Sequence, residues 1–293
     1  MKLTQTITIF ILIILLSSCN NKTKTTHNKI GDVEILADST KTRVVKKIFF
    51  NIPSPIELTK ILSSVNSSFN PYLLNPTNKI EQYSSSSKLA LNFGVYGADL
   101  CYCRVFDQLQ ESIKYLSVVR KISNSLQIPE DKGAETIKKI EENIGDKDLM
   151  FKIISDTYAN ADSYLKENER DLTATLILIG GWVEGMYFSV NINKETGNKL
   201  QINIAEQKFA LQNLMKLINN YYDNNTIKEL TPLFKKLNNI YNDIEISYDS
   251  QIVITDQETK ITTIDNVSNV KITQQQLDDI TDTIIKIRKL IIN

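Results

Sequence analysis

Two short segments hold the residue types best suited to chemistry. Leu91-Asn92-Phe93-Gly94-Val95-Tyr96-Gly97-Ala98-Asp99-Leu100 and Gly180-Gly181-Trp182-Val183-Glu184-Gly185-Met186-Tyr187 each carry one carboxylate in an apolar, glycine-containing stretch with aromatics beside it. A carboxyl group buried without a partner has a raised pKa, and two such groups in contact share a proton or hold a cation. Asp99 and Glu184 are therefore the candidate buried acids, and Tyr96, Tyr102, Trp182 and Tyr187 the aromatics that would line a ligand site or pin two helices together. Three uses follow. The acids can be structural pins, part of a small-ligand pocket between their helices, or the acid–base pair of a hydrolase; we weight the first most heavily, because aromatic residues at helical spacing usually build core.

Other chemistry is thinly supplied. The only histidine, His27, sits in the polar stretch Asn20–Asn28, so no Ser-His-Asp, Cys-His or histidine-rich zinc arrangement can be assembled in the folded body. Cys101 and Cys103 are two apart and would point to nearly opposite sides of a helix, which disfavours a mutual disulfide; reduced core cysteines are the expectation. No phosphate-binding glycine loop, dinucleotide fingerprint, Gly-x-Ser-x-Gly or His-Glu-x-x-His motif is present. No metal and no cofactor is expected. Lys plus Arg equals 34 and Asp plus Glu equals 34. This balance gives no basic field for nucleic acid. The reading leans away from an enzyme and towards a binding or scaffolding module.

The elements that must position these residues read as helices. Of 293 residues, 42% are hydrophobic and 23% charged, with 9 glycines and 6 prolines. So few punctuators favour long helices. The expected fold class is all-α, or mostly α: an irregular multi-helix bundle with a small β-hairpin near residues 250–265. A capping box at Ser54-Pro55-Ile56-Glu57 predicts a first helix to about Val65. A long helical region is expected from about Asn78 to the stop at Pro129, with Ala90, Gly94 and Ala98 as a stripe of small residues that lets another backbone approach. Further helices are predicted at about 134–144, 147–168, 170–192, 200–221 and 226–242. Leu172 to Val190 contains Glu184 as its single charge; that length is formally enough to cross a bilayer, but the glycines and the acid favour a helix buried in a bundle. Ile252–Thr255 and Lys260–Ile264 read as the hairpin. A second capping box, Thr273-Gln274-Gln275-Gln276, opens a last helix whose Leu277, Ile280, Ile284, Ile287 and Ile291 form a heptad-like seam, expected to dock within the chain.

The amino-terminus carries a different kind of signal. Lys2 precedes the apolar run Ile7–Leu16, which is short for a membrane span and ends in Ser17-Ser18-Cys19. Leu16-Ser17-Ser18-Cys19 resembles the lipobox of bacterial lipoproteins. The resemblance implies a signal peptide over 1–18, a lipidated (diacylglycerol- and palmitate-bearing) Cys19 as first residue of the mature chain, a tether and lead-in over 19–47, and one helical domain over 48–293. It further implies a cell-envelope location, lipid-anchored in the outer membrane and facing the periplasm, with the membrane as partner through Cys19 and a protein or small ligand as second partner. Asn20 is not the aspartate of inner-membrane retention. The Pro53-Ser54-Pro55 start, the Asn92-to-Leu100 segment and the Gly180-to-Glu184 segment together resemble a group of uncharacterised helical envelope lipoproteins of Gram-negative bacteria. That likeness spans most of 48–293 and implies fold and location but no activity.

Overall fold

The helix that carries Glu184 organises the structure because it is apolar on nearly every side. A helix with no polar face has to be surrounded. In the computed structural model, which describes residues 59, 61–62, 65–129, 147–248, 252–255, 262–265 and 268–293, this helix runs over Asp171–Glu195. It is α4 in chain order. Before it come α1 (Ser86–Val105), α2 (Leu109–Ser125) and α3 (Lys147–Glu167). After it come α5 (Gln201–Asn220), α6 (Asn225–Asn242) and, beyond a β segment, α7 (Gln274–Ile292). Helices α1, α3, α5 and α7 all pack on α4, and α6 packs on α5 and α7. The fold is a mostly-α multi-helix bundle. The described residues belong to one compact unit, Lys41–Asn293.

Helix α4 therefore serves as the core of a bundle. Ile179, Trp182, Val183, Met186, Phe188 and Ile192 have no exposed surface. The small-residue stripe does what its spacing predicts. A Cβ added at Gly94 would sit 2.0 Å from the Ile177 carbonyl oxygen of α4, and one at Gly180 would sit 1.9 Å from the Leu91 carbonyl oxygen of α1. Helices α1 and α4 touch backbone to backbone at two complementary glycines, one on each.

The region expected as one helical stretch from Asn78 is divided. Thr77–Gln82 is a 3₁₀ helix, and a break at Phe106–Gln108 separates α1 from α2. There the Gln108 amide donates to Cys103 O (2.8 Å), the Asp107 amide to Arg104 O (3.1 Å), and Asp107 has φ of 57°. This is the pattern of a Schellman helix ending, a left-handed residue just past the last turn. The same hydrogen bonds close α2 at Gln127 (φ 54°) and α3 at Glu169 (φ 57°), and the outer one, Asn198 amide to Asn193 O (2.9 Å), closes α4 at Gly197 (φ 69°). Three of these four left-handed positions hold residues other than glycine, so the Phe106–Gln108 break had no glycine or proline to announce it.

The last helix opens as predicted. The Thr273 Oγ1 accepts from the Gln276 amide (3.2 Å), and the Gln276 Oε1 accepts from the Thr273 amide (2.8 Å). Leu277, Ile280, Ile284, Ile287 and Ile291 are buried against the bundle. Between α6 and α7 lie β1 (Glu245–Tyr248), β2 (Ile252–Thr255), β3 (Thr262–Asp265) and β4 (Ser268–Lys271). Strands β2 and β3 pair antiparallel, Ile252 opposite Asp265, close to the expected hairpin. Strands β1 and β4 add a second antiparallel pair, Glu245 opposite Lys271, which period-2 patterning alone had not marked. Ile246 and Val270, opposite one another in that pair, pack on the helical core. Thr59, Ile61 and Leu62 are helical. The capping box at Ser54, the helix expected at 134–144, the lipobox and Cys19 lie outside the described residues.

The glycine contact makes a sharp expectation. Gly94→Ala and Gly180→Ala each improve helix propensity by about 1 kcal/mol but force two backbones apart, a net loss of roughly 3 kcal/mol or more. Gly197→Ala, whose Cβ would meet nothing within 4 Å, costs only about 1 kcal/mol through its left-handed backbone. Urea-unfolding midpoints of the three variants check this ranking.

Candidate functional site

The α1–α4 contact carries Asp99 one turn beyond Val95 and Glu184 one turn beyond Gly180. Both side chains have no exposed surface, and they lie close enough for each carboxyl to feel the other. Two ionised carboxylates at that separation in a dry interior repel strongly. The third charged member is Arg288, delivered by α7. Its Nε donates to Glu184 Oε2 and its Nη2 to Glu184 Oε1, both at 2.6 Å, and Nη2 also donates to the Leu73 carbonyl oxygen at 2.9 Å. This bidentate fork fits a planar guanidinium to an ionised carboxylate. The Tyr187 ring lies against the guanidinium, 4.0 Å from its centre, adding a cation–π contact.

The charge count decides the protonation. One guanidinium is committed to Glu184, which leaves Asp99 without a cation of its own. Burial, with the Glu184 charge second, pushes the Asp99 carboxyl well above the usual carboxylate range; Arg288 and the Asn75 amide pull the other way and do not win. Burial works against the Arg288 charge, but the attraction and hydrogen bonds of Glu184 outweigh it and raise that pKa further.

The cluster also holds down an irregular strap, Asn70–Tyr83, that crosses the ends of these helices. Asn-Pro at 70–71 and 75–76 keeps the strap from joining a longer helix, and the helices satisfy its backbone with side chains. The Asn75 amide donates to both Asp99 oxygens (3.4 Å each), the Tyr115 hydroxyl to Asn75 O (2.9 Å) and the Tyr96 hydroxyl to Pro76 O (2.9 Å). The Tyr102 hydroxyl accepts from the Asn70 amide at 3.0 Å. Burial raises the tyrosines Tyr83, Tyr96 and Tyr115 above their ordinary range, and Tyr102 to about 12, so all four remain neutral hydrogen-bonding groups at physiological pH. Tyr83 hands the network on: its hydroxyl accepts from Asn75 Nδ2 (3.2 Å) and donates to Ile292 O (3.2 Å) at the end of α7.

Of the six residues picked out by pattern, the structure unites Tyr96, Asp99, Glu184 and Tyr187 around Arg288 and the strap. Tyr102 stands at the rim, stacked on Phe188 with ring centroids 4.3 Å apart and packed against Phe69 and Phe106. Trp182 departs from the group. Its Nε1 donates to Gln207 Oε1 of α5 (3.1 Å), and its ring meets Phe234 of α6, on a side of α4 where no carboxylate of the pair lies. Tyr96 and Trp182 therefore do not line one site together: the first reaches the strap at Pro76, the second Gln207 of α5. Cys101 and Cys103 are buried and form no disulfide, and burial pushes the Cys103 thiol up, away from thiolate reactivity.

Pattern alone missed Arg288, Asn75, Tyr83 and Tyr115. Arg288 had a readable signal. It falls one turn after Ile284 and one turn before Ile292, on the margin of the buried α7 seam, and the apolar helix α4 held one unpaired acid. Asn75 and Tyr83 lie in a strap without periodicity, where nothing in the sequence points a residue inward.

The arrangement contains a carboxyl–carboxylate pair with a fixed cation, a proton-sharing unit, but it lies in a closed seam. Surface grooves lie elsewhere. One of about 490 Å3 is lined by Lys88, Leu233, Lys286, Lys289 and Leu290. Another, of about 500 Å3 and lined by Asn193, Lys194, Asn198, Gln274, Asp278 and Asp282, runs between the end of α4 and the start of α7. Among the described residues no group of three His, Cys, Asp or Glu side chains is placed to hold a metal ion.

Removing one partner of the buried pair strands the other's charge. Glu184→Gln and Arg288→Met are each expected to cost about 3–5 kcal/mol, read as a large drop in urea midpoint with helical circular dichroism retained at zero denaturant. Losses below about 1 kcal/mol would mean that water reaches the pair. In comparisons with known proteins, no family model, no curated protein and no solved structure matches this chain.

Proposed function

We propose that this chain is a lipid-anchored cell-envelope protein whose helical body works as a non-enzymatic binding or scaffolding module. The observation that carries the anchoring is Cys19 placed directly after Leu16-Ser17-Ser18, behind the apolar run Ile7–Leu16 and the lone Lys2. An amino-terminal cysteine bearing several acyl chains makes stable attachment, which a single chain does not. The polar composition from Asn20 to Asn28 suits a tether between lipid and body. The outer membrane, periplasmic face, is the location this signal favours.

The state of the two acids supports the non-enzymatic half. An acid–base pair that works on substrate has to be reachable by it. Asp99 and Glu184 have no exposed surface and are occupied with each other, Arg288 and the Asn75 amide. A ligand could reach them only after the helices part or the strap over Asp99 lifts. Binding therefore falls to the outer surface of the bundle, with a protein or small molecule as partner.

Cell fractionation tests the anchor. The wild-type chain is expected in the membrane fraction, with mass spectrometry reading a mature amino-terminus at Cys19 that carries diacylglycerol and a further acyl chain. Cys19→Ala is expected to leave the membrane fraction while the body stays folded. An unprocessed, acyl-free chain recovered from cytosol would end the proposal.

A further inference from the structure

The α1–α4 seam joins two carboxyl groups and supplies one guanidinium for them. We propose that a single proton, held between Asp99 and Glu184, is a structural component of this fold, and that its loss as pH rises loosens the α1–α4 seam and its hold on the strap Asn70–Tyr83. The geometry assigns the proton's place. Both Glu184 oxygens receive Arg288 donors at 2.6 Å, the pattern of an ionised carboxylate. Asp99 accepts only the two long 3.4 Å contacts from the Asn75 amide and touches Glu184. A neutral Asp99 donating its hydroxyl hydrogen to Glu184 satisfies both side chains; an ionised Asp99 places two anions in a dry seam with one cation.

The groups facing Asp99 offer no replacement for the proton. From α4 come Glu184 and Tyr187, from α7 Arg288, from α2 Tyr115, from α1 itself Tyr96 and Cys103, and from the strap Tyr83. Arg288 is the only cation among them. The tyrosines and Cys103 are pushed upward by burial and stay neutral. Glu111 of α2 adds further negative field at Tyr115 and Cys103.

The pH dependence has a definite direction. The unfolded chain releases the Asp99 proton near pH 4, whereas the folded chain keeps it well above that. From about pH 4 upward the native state binds the extra proton, so stability falls as pH rises until the folded carboxyl itself ionises. The slope is at most about tenfold in the unfolding constant per pH unit, the limit for one proton. Comparison with a variant isolates that slope: His27 is the only histidine, ordinary carboxylates, tyrosines and lysines titrate outside pH 5–9, and the thiols, which ionise near 8.5 in the unfolded chain, act equally on wild type and variant.

The experiment follows urea-unfolding midpoints of the full mature chain, in detergent, from pH 5 to 9, for wild type and Asp99→Asn. Asparagine copies the protonated acid: its Nδ2 donates to Glu184 and its Oδ1 accepts from Asn75. The expected result is a wild-type midpoint that falls with pH and an Asp99→Asn midpoint that is nearly flat up to about pH 8, where thiols of the unfolded chain begin to ionise, and equal to or above wild type at pH 9. A variant that keeps the wild-type slope, or is weaker than wild type at pH 9, overturns the proposal. Infrared spectroscopy of the wild type at pH 7 needs no variant to fold. A protonated-carboxyl C=O band from a buried group is expected, and its absence overturns the proposal as well. Neither readout depends on lipidation or on any binding partner, so failure here is separable from failure of the anchoring proposal.

Discussion

The closest backbone contact between α1 and α4 is the constraint from which the rest follows. Gly94 and Gly180 bring the two helices within a distance that admits no side chain, so Asp99, five residues past Gly94, and Glu184, four past Gly180, cannot avoid each other. Close packing of this kind gains dispersion energy over many atoms, but it also seals whatever polar groups it carries away from water. A buried carboxyl pair is costly unless its charge and hydrogen bonds are fully met. Arg288, the strap amide of Asn75 and a retained proton are the means by which this seam meets them.

Much of the fold was legible because periodicity is a direct consequence of burying one helix face. The apolar stretch around Glu184 and the heptad-like seam of α7 translated into α4 and α7 nearly residue for residue, and the capping box at Thr273 formed as its residue types require. The break after Val105 was not legible, because a left-handed helix ending is advertised by glycine, and here Asp107 adopts that conformation. Tertiary packing of Phe106 against Phe69 and Tyr102 sets that corner more than any local preference. The outer strand pair β1–β4 was hidden for a similar reason: its apolar residues Ile246 and Val270 gain their meaning only once the underlying core exists.

The site was half legible. Asp99 and Glu184 stand out as lone acids in apolar helices, which is a property of each helix by itself. That they meet is a property of the pair, and the stripe Ala90, Gly94, Ala98 together with Gly180 was the hint. Grouping Trp182 with them failed because neighbours in sequence on a helix diverge by about 100° per residue. Trp182 and Glu184 are two positions apart and so face different partners, Gln207 and Phe234 for one, Arg288 for the other.

The polar cluster also explains how the two ends of the body hold one another. The last turn of α7 leaves carbonyl groups without helical partners. Lys88 Nζ takes Leu290 O, Asn92 Nδ2 takes Ile291 O, and Lys79 Nζ and Tyr83 Oη both take Ile292 O. Two of these donors are cations at the negative end of a helix dipole, where charge is favourable. One turn earlier, Arg288 reaches Leu73 of the strap and Glu184 of α4, partners 215 and 104 positions away in the chain. Contacts of such long sequence separation form only after most of the chain is ordered. Until α7 docks, the apolar helix α4 carries an anion with no cation, and the strap has no anchor at Leu73. The ion pair thereby ties burial of Glu184 to completion of the bundle: a partly assembled core that left α7 out would bear an unpaired buried charge. On that argument the acid of α4 penalises incomplete packing, a role that needs it dry and paired.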